Sequence, residues 1–169
     1  MRYYKNIKDF VKDKQVFCGM DVHLNHWNIC FFCDGEVVEK LKIPVHYKQF
    51  YNLLQNYSTA RQLKIIYEAG FSGYWLWRSL AKDGYDCCVT PPNRIPKTGS
   101  KVKTDKRDAE ALAAYLSAGL LKSVVVPPVH DEADRRIVRR RAQLVKNQTR
   151  AKHQVNAAIV MHQNSSHYV

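Results

Sequence analysis

The chain has 169 residues, of which 46% are hydrophobic, and a formal net charge of +12. This length suits one domain with a packed core, or one domain with an appendage. We expect a cytoplasmic protein without a membrane partner, because no apolar run approaches the ~20 residues of a membrane span and the N-terminus lacks the apolar core of a secretory signal.

The first part of the chain predicts three antiparallel strands and a helix. The strands are expected over 16–24, 26–33 and 36–43, and Asp34-Gly35 is a strong hairpin signal between the second and the third. Pro44 ends this meander. Apolar residues then recur at helical spacing between Tyr47 and Tyr57.

The second part of the chain predicts alternating strands and helices. After a strand over 63–67, Ser72 is expected to cap a helix that ends at Gly84, and a fifth strand follows over 85–89. A loop over 91–103 leads to Thr104, the expected N-cap of a helix that runs to about Gly119. The remaining elements are an extended segment over 124–126 and a long helix over 131–163. The predicted domains are 1–129, the helix within 130–163 and a polar tail over 164–169.

Four acidic residues predict a metal site. Asp21 interrupts an apolar strand, where an unpaired carboxylate would cost several kcal/mol and therefore needs a partner such as a metal ion. Glu68 ends a second apolar run, and Asp105 and Asp108 stand three residues apart, on one face of the predicted helix. We expect the four carboxyl groups to lie within roughly 4–8 Å of one another, around Mg²⁺ or Mn²⁺ ions suited to phosphodiester displacement.

Each of these signals also has a simpler interpretation. A single acid at a strand end, such as Glu68, is often only solvated, and acids in the first turn of a helix commonly compensate its dipole. Zinc bound by histidines and by Cys30 and Cys33 is disfavoured, because those two cysteines point to opposite faces of a strand. The five cysteines form no even disulfide framework and are expected to be free thiols. Tyr74, Trp75 and Trp77 are expected to pack in the core rather than stack on bases.

The positive charge is concentrated in two segments. No acidic residue occurs from residue 135 to the C-terminus, and residues 94–107 bracket Asp105 with further basic residues. The basic residues of the two segments are Arg94, Lys97, Lys101, Lys103, Lys106 and Arg107, and Arg135, Arg136, Arg139, Arg140, Arg141, Lys146, Arg150 and Lys152. Charge runs are often solvated faces, but such segregation is typical of a polyanion binder. We expect both segments to form one surface that binds nucleic-acid phosphates.

Four stretches of the chain resemble a known family. They are Gly19-Met20-Asp21-Val22-His23, Tyr67-Glu68-Ala69-Gly70, Lys103-Thr104-Asp105-Lys106-Arg107-Asp108-Ala109 and Arg139-Arg140-Arg141-Ala142-Gln143-Leu144-Val145. From about residue 16 to about residue 160 the chain is similar to the DEDD transposases of bacterial insertion sequences, relatives of the Piv-type invertases. The resemblance implies an α/β, RNase H-like (RuvC-like) fold with a mixed five-stranded sheet, flanking helices and a long coiled-coil-like C-terminal helix. It also implies that Asp21, Glu68, Asp105 and Asp108 are the family's four catalytic acids.

The resemblance further implies DNA transposition guided by a structured RNA, together with a serine nucleophile in a second, C-terminal domain. Ser165 and Ser166 lie in a polar tail and are not assigned that role. We therefore expect the chain to be the catalytic-acid half of a transposase, without complete activity alone. The alternatives are a non-catalytic module for nucleic-acid binding and dimerisation, and a stand-alone RuvC-like DNA endonuclease.

The long helix also predicts self-association. Ile137, Leu144, Ala151 and Ala158 recur every seven residues, as in a coiled-coil seam, and Val155 adds to it. Arg141, Gln148 and His162 occupy the rest of this seam and weaken it. We expect a helix that projects from its domain and forms a homodimer, or a higher oligomer, of modest affinity.

Overall fold

The computed structural model describes residues 6–59, 61–70, 72–96 and 105–165, with only the backbone described for residues 105, 106, 164 and 165. The chain divides into two compact units, Met1–Val126 and Pro127–Val169. The ten helices and strands found in the described ranges are α1 (Ile7–Phe10), β1 (Gln15–Val22), β2 (His26–Cys33), β3 (Glu36–Pro44), α2 (Tyr47–Leu54), β4 (Gln62–Glu68), α3 (Trp75–Lys82), β5 (Asp86–Thr90), α4 (Asp105–Ser117) and α5 (Val129–Ser165). Among them, no helix is both long and apolar enough to cross a membrane.

The first unit contains a mixed five-stranded sheet in the order β3-β2-β1-β4-β5. β1 pairs with β2, and β2 with β3, in the antiparallel direction, whereas β4 and β5 continue from β1 in the parallel direction. The hairpin predicted at Asp34-Gly35 is present, with φ angles of 51° and 82° that match the turn preferred between twisted antiparallel strands. The predicted α/β class and the RNase H-like order of elements are confirmed, with β1 at the centre of the sheet.

One face of the sheet carries the main hydrophobic core, and we call it the core face. Val16, Cys18 and Met20 of β1 lie in this core, together with buried residues of α2 and α3. Its largest side chains are aromatic: the rings of Phe31 and Tyr57 stack with centroids 3.8 Å apart. Burial of this apolar surface is the main stabilising contribution to the unit.

The opposite face of the sheet is covered by α4, and we call it the α4 face. A small cluster of Cys30, Ala109 and Ala113 is buried there. Gly19 of β1 makes the closest approach, because a Cβ atom built on it would lie 2.1 Å from the carbonyl oxygen of Ala109 and 2.5 Å from the amide nitrogen of Ala113. The absence of a side chain at Gly19 therefore lets α4 lie directly against the central strand.

Two details of α3 differ from the predictions. The predicted N-cap Ser72 is wrong, because the helix begins at Trp75 with Tyr74 at the N-cap position and no capping side chain. Gly73, at φ 59°, donates its N–H to the carbonyl of Gly70, and this turn delays the helix. Its predicted end is confirmed at Gly84, which has φ 83°.

The three aromatic residues of this segment have different environments. Trp77 packs against the core and donates Nε1–H to the carbonyl of Cys87 at 2.7 Å, and Tyr74 also packs against the core. The expectation that Trp75 is a core residue is wrong, since it is 42% exposed. Residues two apart on a helix point in different directions, which separates Trp75 from Trp77.

The other predicted elements lie within two residues of the observed bounds, with two exceptions: the helix predicted to reach Tyr57 ends at Leu54 and is followed by a 3₁₀ turn over Gln55–Tyr57, and α1 was not predicted. The last helix, α5, begins at Val129, which is two residues before its predicted start. The segment 124–126, predicted as a short strand or extended segment, belongs to no helix or strand and attaches to β5 through a hydrogen bond from Val124 N–H to the carbonyl of Val89 at 2.8 Å. The expected N-cap Thr104, and residues 97–103 of the predicted loop, lie outside the described residues.

The close contact at Gly19 predicts that any side chain added there lowers the stability of the fold. Gly19→Ala should lower the free energy of unfolding by about 1–3 kcal/mol, because backbone atoms of α4 must move to admit the methyl group. Urea unfolding followed by circular dichroism measures this loss. Gly70→Ala is the matched control, since the nearest atom to its added Cβ lies 3.9 Å away. Equal stability of the two variants would contradict a close helix contact at Gly19.

Candidate metal and nucleic-acid sites

Two of the four predicted acids lie at the same level of the sheet. The parallel register of β1 and β4 pairs Met20 with Tyr67, and the next residue along each strand is Asp21 or Glu68. Neighbouring strands are ~4.8 Å apart, and register neighbours point to the same face. Asp21 is two residues beyond Gly19, so both acids belong to the α4 face.

Asp21 has a protein partner near the end of β1. Its side chain is 21% exposed, and its Oδ2 lies 2.8 Å from Nε2 of His23. The ring of His23 stacks on that of His26 with centroids 5.1 Å apart. The structure therefore gives this partly buried carboxylate the compensation that the sequence required, here through an imidazole. Glu68, by contrast, is exposed.

The other two acids lie in the first turn of α4. Asp108 is partly buried, and Ala109, the next residue, lies against Gly19 on the strand that carries Asp21. Lys40 Nζ and Glu110 Oε2, 2.5 Å apart, connect the same turn of α4 to β3. The side chain of Asp105 lies outside the described residues. Convergence of all four carboxyl groups stays a prediction.

Among the described side chains, no three histidine, cysteine, aspartate or glutamate residues come together as a metal site. The donor chemistry on the α4 face nevertheless suits a hard cation, because Asp21 and Glu68 are carboxylate residues at the same level of neighbouring strands. These residues fit Mg²⁺ or Mn²⁺ better than a soft-ligand metal.

The cysteines are free thiols on both sides of the sheet. Cys30 packs with Ala109 and Ala113, whereas Cys33 belongs to the main core, so the two point to opposite faces as predicted. Burial raises the pKa of the Cys30 thiol to about 12, although nearby Lys40 lowers it. A buried, protonated thiol is a poor ligand for zinc.

Sequence reasoning missed a polar residue beside Asp21. Asn28 is the register partner of Asp21 in the antiparallel β1–β2 pair, and it is only 2% exposed. The signal was available, because Asn28 interrupts the apolar strand β2 much as Asp21 interrupts β1. The same level of the sheet continues to Lys42 on β3 and to Thr90 on β5.

The predicted nucleic-acid residues fall into two groups. The eight basic residues of α5 are exposed, as are Arg94 and Arg107 in the first unit. Lys97, Lys101 and Lys103, and the side chain of Lys106, lie outside the described residues. One joint surface of the loop and the helix stays a prediction.

The basic residues of α5 are not evenly spread around the helix. At 3.6 residues per turn, most of them lie within an arc of about 140°. The residues in this arc, which we call the basic face of α5, are Arg135, Arg136, Arg139, Arg140, Lys146 and Arg150. Arg141 and Lys152 lie on the other side, beside Ile137, Leu144 and Val155, which are each at least 50% exposed.

Comparison with known proteins gives one consistent result. A family model described as transposase, for the DEDD transposases of the IS110 type, matches residues 18–162. The chain is 44% identical over 97 residues to the transposase-type protein y4qE of Sinorhizobium fredii (strain NBRC 101917 / NGR234), an alignment that covers 57% of this chain and 25% of that protein. It is 32% identical over 136 residues to the transposase for insertion sequence element IS1533 of Leptospira borgpetersenii, covering 78% of this chain and 39% of that protein.

The chain thus spans well under half the length of these two relatives. The family match, in contrast, extends over most of the chain and includes β4, α4 and most of β1 and α5. It covers all four predicted acids and the basic face of α5. The chain belongs to the DEDD transposase family.

Proposed function

We propose that this chain supplies the metal-binding acids for DNA strand exchange in transposition. In this proposal Asp21, Glu68, Asp105 and Asp108 hold Mg²⁺ or Mn²⁺. The observation that carries it is the position of Asp21 and Glu68, at one level of two neighbouring parallel strands and on the face covered by α4. Family membership supports the DNA substrate and the process.

The role of each residue follows from its position. Asp21 lies on the central strand, where its pairing with Asn28 of β2 holds its backbone in place, and His23 orients its carboxylate. Asp105 and Asp108 extend from the first turn of a helix that the Gly19 contact holds against the same strand. Close carboxylates repel one another unless a cation or a proton neutralises them. When bound, the ions would stabilise the attacking and leaving oxygens of a phosphodiester displacement.

The basic face of α5 is proposed to bind nucleic-acid phosphates. Its six arginine and lysine side chains are exposed and share one side of the helix, which suits contact with a phosphate backbone. The phosphates can belong to the DNA or to the structured guide RNA that the family resemblance implies. In this proposal the residues of the chain bind both the metal ions and the nucleic acid.

The metal site can be tested through stability. At a Mn²⁺ concentration of about 100 times Kd, binding should add about 2.7 kcal/mol to the free energy of unfolding of the wild type. Asp21→Asn should remove most of this gain, because it removes a charged ligand at the centre of the site. Thermal unfolding with and without MnCl₂ measures the effect.

Asp86→Asn is the matched control for this experiment. Asp86 lies on the same face of the sheet, four residues before Thr90 on β5, and its nearest described basic partner is Lys64 at 4.0 Å. This variant should keep the metal-dependent gain. A wild type that binds DNA without any response to Mn²⁺ would favour the non-catalytic module, and metal-dependent cleavage of branched DNA by the chain alone would favour the endonuclease.

The basic face can be tested with two matched double variants. Arg139→Ala with Lys146→Ala removes two charges from the basic face, whereas Arg141→Ala with Lys152→Ala removes the same two residue types from the other side. The double variant of the basic face should bind most DNA sequences more weakly. The slope of the logarithm of its affinity against the logarithm of the salt concentration should also fall in magnitude by about 2, because two phosphate contacts are lost. Filter binding over a range of salt concentrations measures both. Equal losses in the two double variants would contradict a one-sided surface.

Dimerisation through the apolar side of α5 is also proposed. Ile137, Leu144 and Val155 are exposed on one side of the helix, and a partner helix would remove this surface from water. Leu144→Asp should therefore shift the chain towards monomer in sedimentation at tens of micromolar, and Gln143→Asp, one position away, should not. A monomeric wild type, or a Leu144→Asp variant that dimerises normally, would rule out this interface.

A further inference from the structure

Asn28 is an unusual residue for its place in the fold. It lies in the middle of the sheet, on β2 between β1 and β3, and its side chain is almost completely buried at 2% exposure. It pairs with Asp21 across the antiparallel β1–β2 ladder. Opposed residues of such a pair point to the same face, with Cβ atoms ~4.5–5.5 Å apart. Asn28 and Asp21 are therefore neighbours on the α4 face, at the level of the sheet that also includes Glu68.

The amide nitrogen Nδ2 of Asn28 has no hydrogen-bond partner in the part of the chain that the structure describes. Leaving a buried polar group unbonded costs about 1–3 kcal/mol. The other such atom found there, Trp27 Nε1, belongs to the core face, because neighbouring residues of a strand alternate. On the α4 face, the residue with the unbonded donor, Asn28, is the register partner of Asp21, a predicted metal ligand.

Thr90 is a second buried polar residue at the same level of the sheet, and it can be compared with Asn28. It is completely buried, and its hydroxyl donates to the carbonyl of Lys122 at 3.2 Å. Its hydrogen bond is thus made within the fold. Asn28 differs, since its donor is not used by the fold.

We propose that Asn28 is a positioning residue for the metal site, and that its Nδ2–H donates to the Asp21 carboxylate when that carboxylate binds a divalent cation. The Nδ2–H group cannot itself ligate a cation, so in this proposal it acts through the oxygen atoms of Asp21. Donors of this kind orient metal-binding carboxylates, and their loss typically weakens metal affinity 10–100-fold. This inference rests on the proposed function, because it requires Asp21 to bind the metal.

A matched pair of variants separates the donor from the packing. Asn28→Thr and Asn28→Val have nearly the same shape and are both well suited to a strand, but only threonine keeps a donor. Titration calorimetry of Mn²⁺ into the full 169-residue chain gives the affinity of each variant for the ion. We expect Asn28→Val to bind Mn²⁺ about 10-fold more weakly than the wild type, and Asn28→Thr to bind it more tightly than Asn28→Val.

Unfolding without metal is the second measurement. Because the donor has no use in the fold, Asn28→Val should be at least as stable as Asn28→Thr in urea. Thr90→Val is the control and should show the opposite result: lower stability, since it loses a satisfied hydrogen bond, with unchanged Mn²⁺ affinity.

The outcomes distinguish this inference from the proposed function. If Asp21→Asn abolishes Mn²⁺ binding but Asn28→Val and Asn28→Thr bind equally well, the role of Asn28 is overturned and the metal site stands. An Asn28→Val variant that is less stable than Asn28→Thr would also overturn it, because the donor would then serve the fold. A wild type that does not bind Mn²⁺ overturns the proposed function and this inference together.

Discussion

The close contact between α4 and the central strand is the constraint on which the site depends. At Gly19 the backbone of α4 occupies the space that any side chain would need, with the Ala109 carbonyl oxygen 2.1 Å from the position of a Cβ atom. Ala109 and Ala113 are small and buried, which permits this approach. Since Asp21 follows Gly19 by two residues and Asp108 precedes Ala109, the same contact sets the position of the helix acids relative to the strand acids.

The two faces of the sheet have different physical roles. The core face contains the large buried side chains, and even its polar groups are used to hold structure, as when the Tyr57 hydroxyl donates to Glu39 at 2.9 Å. Burial raises the pKa of Tyr57 and keeps it a donor. The α4 face has a smaller buried apolar cluster and is more polar, with Asp21, Glu68 and Asn28 at one level. Stability therefore comes mainly from one face, which leaves the other able to contain residues that are costly to bury.

The helix α5 separates charge and apolar surface in a similar way. Its basic face begins beside the apolar side, with Arg140 next to Leu144, and extends away from it around the helix, so a partner on the apolar side would leave most of the arginine and lysine side chains of this face accessible. Arg141 and Lys152, which flank the apolar side, would lower the affinity of such a pairing. This division is consistent with a helix that contacts both protein and nucleic acid.

The sequence by itself determined the order of the strands along the chain, the hairpin at Asp34-Gly35, the α/β class and the family, because alternation, turn residues and the motifs around Asp21 and Asp105 are local properties. It did not reveal the role of Gly73 in delaying α3, or the exposure of Trp75, since both depend on how a short turn directs the helix. The pairing of Asn28 with Asp21, and the approach of α4 to Gly19, were decided only by the tertiary structure. Register and helix packing join residues far apart in the chain, and a local pattern contains no information about which of them become neighbours.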